Sequence, residues 1–173
     1  MKSKTIIGLT LFLLMMIGII TTVLAVINIQ NYERPYLFAL IFGGLGIWVG
    51  VKITNRFKSK IALNQRMKTD FWQPIMYIST GVMGIFMLTA SYVNNETAQL
   101  VSCEDYHLIN KHRKDRGFRD PEINSLYFII DGQKRRIICN HKYWDNVRVG
   151  QKINICVYES KINFDFISIY GKE

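Results

Sequence analysis

The sequence predicts a membrane α + β protein: three transmembrane helices followed by a small, five-stranded, mostly antiparallel β barrel or sandwich. Three observations predict it. No charged residue lies between Lys4 and Glu33. Two more apolar runs of membrane length follow, opening on Pro35 and Pro74. From Asn95 onward the apolar residues alternate, and charge returns at the density of an ordinary water-exposed domain. The division this implies is a transmembrane region over 1–94 and a β domain over 95–173.

A helix crossing the hydrocarbon core needs about 20 apolar residues at 1.5 Å each. Thr5–Ile29 meets that length, Pro35–Ile53 meets it with Lys52 able to snorkel, and Pro74–Val93 meets it again. A proline in the first helical turn costs no hydrogen bond, because its missing N–H would have had no intrahelical partner. Tyr32, Tyr36, Phe71, Trp72, Tyr77 and Tyr92 flank the runs, as amphipathic rings do at headgroup level. Val23-Leu24-Ala25 resembles a signal-peptide cleavage site. The apolar run around it exceeds the usual signal length, so the first segment is read as an uncleaved span.

Phe42–Gly50 reads FGGLGIWVG, within one residue of a dinucleotide-binding glycine pattern. A phosphate loop follows a strand and carries an acid about 20 positions on. This stretch lies inside an apolar run, and the chain 20 residues on reads NQRMK. Gly43, Gly46 and Gly50 fall on one helical face instead, with Gly81 and Gly84 as small residues on the third span. Small residues let helix backbones approach closely in lipid, so these five are read as helix-packing positions.

Charge gives a direction. The segment from Lys52 to Asp70 holds six basic residues and one acid, Gln30–Arg34 holds one basic residue, and Met1–Lys4 holds two. By the positive-inside rule the loop 54–73 and the N-terminus face the cytoplasm and the C-terminal domain faces out. The expected location is therefore a bacterial cytoplasmic membrane, crossed three times.

In the tail, AQLVSCEDYHLI, INSLYFII, QKRRIICN, GQKINICVYE and NFDFISIY read as strands. Asp131-Gly132 marks a tight hairpin. NKHRKDRGFRDPE is too polar for a strand and is read as an exposed loop or a long hairpin tip, and HKYWDNV as a turn or one helical turn. Apolar spans followed by a β module with Asp131-Gly132 and a later Val149-Gly150-Gln151-Lys152 strand entry resemble a group of uncharacterised bacterial membrane proteins with an extracytoplasmic β-rich domain. That resemblance implies a fold and a location, not an activity.

No Asp, Glu, His or Arg lies inside a span, which argues against a proton relay built from one copy and against haem held by helix histidines. Cys103, Cys139 and Cys156 all lie in the tail without a C-x-x-C. Cys139 and Cys156, on successive strands, are the expected pair if a disulfide forms, with buried free thiols as the alternative. A zinc site from the cysteines and His141 has the ligand types but not paired-ligand spacing. His107, His112 and His141, near Glu104, Asp105 or Asp145, could form an acid–base pair, but no G-x-S-x-G or H-E-x-x-H is present. Lys111, Arg113, Lys114, Arg116 and Arg119 form a basic run which, with Lys134, Arg135 and Arg136 on the hairpin, is read as a contact for an anionic surface, a solvated charge-rich loop being the alternative. Neither a metal nor a cofactor is expected.

The function this supports is presentation of a small, non-enzymatic β module for binding or assembly. The expected partners are the bilayer, an anionic lipid or an envelope protein, and further copies of the chain, with no nucleic acid. A membrane-bound enzyme or redox protein using the tail cysteines and histidines, and a small subunit of an oligomeric transporter or channel, are the alternatives.

Overall fold

A computed structural model describes residues 2–61, 72–115 and 122–170. The chain divides into two compact units. A helical unit takes the residues up to Ile29 and Arg34–Glu96, and a β unit takes Gln30–Glu33 and the chain from Thr97 onward.

The helical unit contains α1 (Lys2–Ile29), α2 (Pro35–Arg56), the short α3 (Lys58–Ile61) and α4 (Trp72–Thr97). Three of these are long and apolar enough to cross a membrane, consistent with a membrane protein. Pro35 opens α2, while α4 is already helical two residues before Pro74. The helix tolerates Pro74 there because the first four N–H groups of a helix have no intrahelical acceptor.

Helix α4 uses two neighbouring faces. On one, a Cβ added to Gly81 would lie 2.5 Å from Leu14 Cγ, and one added to Gly84 would strike the Gly18 carbonyl. On the other, a Cβ on Gly46 would lie 2.6 Å from Met83 Cα, and one on Gly50 would lie 2.6 Å from Ser79 Cα. Gly43 faces the Met87 side chain. The glycines of the second and third spans therefore do not face each other. Gly81 and Gly84 meet α1 at Gly18, and the α2 glycines meet Ser79, Met83 and Met87. Gly18 is a packing position that the sequence reading did not single out. Hydroxyls along these contacts bond back to their own helix: Thr22 Oγ1 donates to Gly18 O at 2.7 Å and Thr54 Oγ1 to Gly50 O at 2.7 Å. Ala25, inside the cleavage-like tripeptide, is fully buried.

The β unit holds two three-stranded antiparallel sheets, not a closed barrel of five strands. One sheet has the order β1 (Gln99–His107), β5 (Lys152–Glu159), β6 (Phe166–Ile169). The other has the order β2 (Asn110–Lys114), β3 (Ile123–Ile130), β4 (Gln133–Cys139). The extra strand is β2, inside the segment read as a loop. Its polarity concealed it, because its pairing comes from the backbone and its side chains are Asn, Lys, His, Arg and Lys. β1 and β2 are nearly one strand bent at Leu108, whose N–H donates to Gln151 O while that of Ile109 donates to Tyr127 O. Asp131 and Gly132 close the β3–β4 hairpin with φ of 52° and 73°, the signs of a type I′ turn. A short helix, α5 (His141–Asn146), follows β4.

The core between the sheets contains Leu108, Leu126, Phe128, Ile130, Ile137, Cys139, Val147, Ile153, Ile155 and Ile169. Gln30–Glu33 completes this unit. Tyr32 forms a bridge with Phe166, and Glu33 N–H donates to Asp165 O at 2.9 Å. The Asn31 amide addresses β4 at both ends: its Oδ1 accepts from Ile138 N at 2.8 Å and its Nδ2 donates to Ile138 O at 3.4 Å.

Gly46→Leu and Gly84→Leu should each lower the thermal stability of the detergent-solubilised chain by about 1–3 kcal/mol or more, the overpacking range. Gly44→Leu should leave the midpoint unchanged, because a Cβ there meets nothing within 4 Å. Equal midpoints for the three variants would contradict the close helix approach.

Candidate functional site

The densest group of ionisable side chains among the described residues gathers where α5 covers one end of the β2–β3–β4 sheet. Asn140 caps α5, its Oδ1 accepting from Tyr143 N at 2.7 Å, and this aims His141 outward from the first turn. His141 Nδ1 lies 2.8 Å from Glu122 Oε1 and its Nε2 2.9 Å from Asp145 Oδ2. Glu122 Oε1 also accepts from Asn124 Nδ2 at 2.8 Å.

Arg113 Nε lies 3.3 Å from Glu122 Oε1 and 3.2 Å from Asp115 Oδ1. Nε meets no hydrogen-bond geometry, so these are charge contacts rather than aligned bonds. Lys111 Nζ donates to Trp144 O at 3.1 Å and Val147 O at 3.0 Å, and lies 4.1 Å from the Trp144 ring centroid. A cation there satisfies the last carbonyls of α5 and sits over an aromatic face. The hydrogen bonds from Asn124 and His141, in that order, with Arg113 adding charge, hold the Glu122 carboxyl below its ordinary range.

This arrangement stabilises charge and fixes α5; it does not assemble a nucleophile. Both ring nitrogens of His141 face carboxylates, so neither is turned toward a hydroxyl or thiol. Burial, with Cys139 nearby, raises the pKa of Tyr143, which keeps that phenol protonated. His107 Nδ1 lies 3.0 Å from Gly150 O, and Glu104 accepts from Tyr106, so those residues do not form an acid–base pair with each other. Of the acids considered from sequence, Asp145 pairs with His141 across one helical turn. Glu122 escaped notice because only the strand register brings it there; the i, i+4 spacing of His141 and Asp145 was the available signal.

The basic run is divided by the alternation of β2. Lys111 and Arg113 share the core face with Leu126 and Asn124, and both are engaged as described. Lys114 is exposed on the other face, and Arg116 and Arg119 lie outside the described residues.

The disulfide joins Cys103 to Cys156, not Cys139 to Cys156. The physical reason is register. Cys103 and Cys156 are direct partners across β1 and β5, with Cα atoms 4.1 Å apart. Cys139 lies on β4 in the other sheet, opposite Asn124, and is buried outside the disulfide. Among the described residues no group of three or more His, Cys, Asp or Glu could hold a metal ion.

No family model matches the chain, and neither a curated protein nor a solved structure matches it.

The depressed Glu122 carboxyl fixes the sign of one pH effect. Its contribution to stability is present above the ordinary glutamate value of about 4.3 and is lost as pH falls through the lower folded-state value. Glu122→Gln should therefore lose less stability than the parent between neutral pH and about pH 3, a difference read by denaturant unfolding at each pH. Parallel pH curves would contradict the assignment.

Proposed function

We propose that the chain is a three-span protein of a bacterial cytoplasmic membrane, with its N-terminus in the cytoplasm and its β unit outside as a non-enzymatic module for binding or assembly. The observation that carries this reading is that Gln30–Glu33, between the first two spans, is built into the β unit. A connection that pairs with Phe166 and Ile138 must lie on the same side of the membrane as those residues.

Two independent features support the outside for that side. Lys52, Arg56, Lys58 and Lys60 crowd the opposite end of α2, where the positive-inside rule places cytoplasm. The Cys103–Cys156 bond suits an oxidising compartment. Burial of Ala25 and the seating of Gly18 against α4 favour retention of the first span over its cleavage.

A binding role is favoured over catalysis because His141 is saturated by carboxylates and Cys139 is buried. The inferred partners are the bilayer with its anionic lipids or an envelope protein, and the apolar outer faces of the spans leave room for assembly with further copies.

A cysteine at Lys60 should resist an impermeant maleimide in intact cells, and one at Lys161 should react. Both native positions are exposed, and the native thiol at Cys139 is buried. The reverse pattern would overturn the direction.

A further inference from the structure

The cations of the β2–β3–β4 sheet separate by face. On the core face, Lys111 is bonded to carbonyls, Arg113 meets carboxylates, and Arg135 Nη2 lies 2.8 Å from Glu33 Oε1. On the opposite face the register aligns Asn110, Tyr127 and Arg136 in one row and Ile129 with Lys134 in the next. His112 and Lys114 continue that face along β2. None of its strand positions carries an acid. Asp131, in the hairpin turn, borders it and offsets one charge. Lys134 Nζ lies 4.7 Å from the Tyr127 ring centroid, and Ile129 is 55% exposed between these polar neighbours.

We propose that this outer sheet face, centred on Tyr127, Ile129, Lys134 and Arg136, docks on anionic phospholipid headgroups. Charge complementarity selects an anionic partner. The exposed isoleucine and amphipathic tyrosine among the cations select a lipid surface over a soluble polyanion, because they can enter the boundary between headgroups and acyl chains. The proposal deepens the reading of the β unit as a membrane-anchored binding module and rests on it. It also moves the anionic contact away from Lys111 and Arg113, whose charges are already satisfied.

The test uses the full chain in nanodiscs, labelled at Asn110→Cys, an exposed position in the row of Tyr127 and Arg136, with an environment-sensitive fluorophore. The expected result is a blue shift and brightening that grow with the phosphatidylglycerol fraction in phosphatidylcholine discs. High salt should reverse it, because screening shortens to about 3 Å at 1 M. At about 1 kcal/mol for each basic residue near an anionic surface, Lys134→Gln with Arg136→Gln should weaken headgroup affinity about 30-fold and abolish the response. Ile129→Ser provides a second variant and should reduce the shift while leaving its salt dependence.

Identical emission in neutral and anionic discs would overturn the proposal. A response to added inorganic polyphosphate without a response to phosphatidylglycerol would overturn it in favour of a soluble polymer. A chain that inserts but is blind to lipid charge removes the docking alone. A chain that fails to insert into discs of either lipid removes the membrane reading and the docking with it.

Discussion

The β unit depends on four residues that reach it from more than 60 positions upstream of its first strand. An open sheet leaves a row of unpaired N–H and C=O groups at its edge. Here Gln30–Glu33 lies beside β6 and sends the Asn31 amide to the backbone of β4, so one short segment bonds to both sheets. Each hydrogen bond is worth about 1 kcal/mol net. Tyr32 stacks on Phe166, which stacks on Tyr158 with centroids 4.9 Å apart, and each ring pair adds about 0.5–1.5 kcal/mol. The partly exposed Arg135–Glu33 pair adds less than about 1 kcal/mol. The linkage is strong through its number of small contacts, and it makes a segment distant in sequence an integral part of the β unit.

Edge protection takes a different form on β2. Its core-facing positions are lysine and arginine, which are costly to bury without partners. Lys111 becomes tolerable by capping the end of α5 and lying over Trp144, and Arg113 by facing the carboxylates of Asp115, Glu122 and Asp145. Charges pointing inward from an edge strand also discourage another strand from adding there. The same alternation sends His112 and Lys114 outward, so one short polar sequence serves both internal satisfaction and surface charge.

The helical part of this architecture was largely legible, because lipid requires long apolar runs and the chain contains three. The β3–β4 hairpin was legible from Asp131-Gly132, whose backbone signs belong to few residue pairs. β2 was not, since strand detection relies on apolar alternation and β2 offers none. The disulfide was misassigned because adjacency in sequence order is a weak guide to adjacency in a sheet. β5 pairs with β1 across the whole intervening sheet, and no local pattern encodes that. Among the ionic contacts, the His141–Asp145 pair follows from helix spacing, whereas Glu122 joins it only after β3 and β4 have found their register. Gly18 was passed over as one glycine in an apolar run; its role exists only through what α4 brings against it.

The bond between Cys103 and Cys156 turns the second sheet into an insertion. The 53-residue interval between its cysteines contains all of β2, β3, β4 and α5, as well as Cys139. Those elements therefore ride on a single covalent loop whose two ends are held side by side in the first sheet. A cross-link across a loop of that length removes about 4 kcal/mol of chain entropy from the unfolded state, so the stability of one sheet is tied to the chemistry of the other.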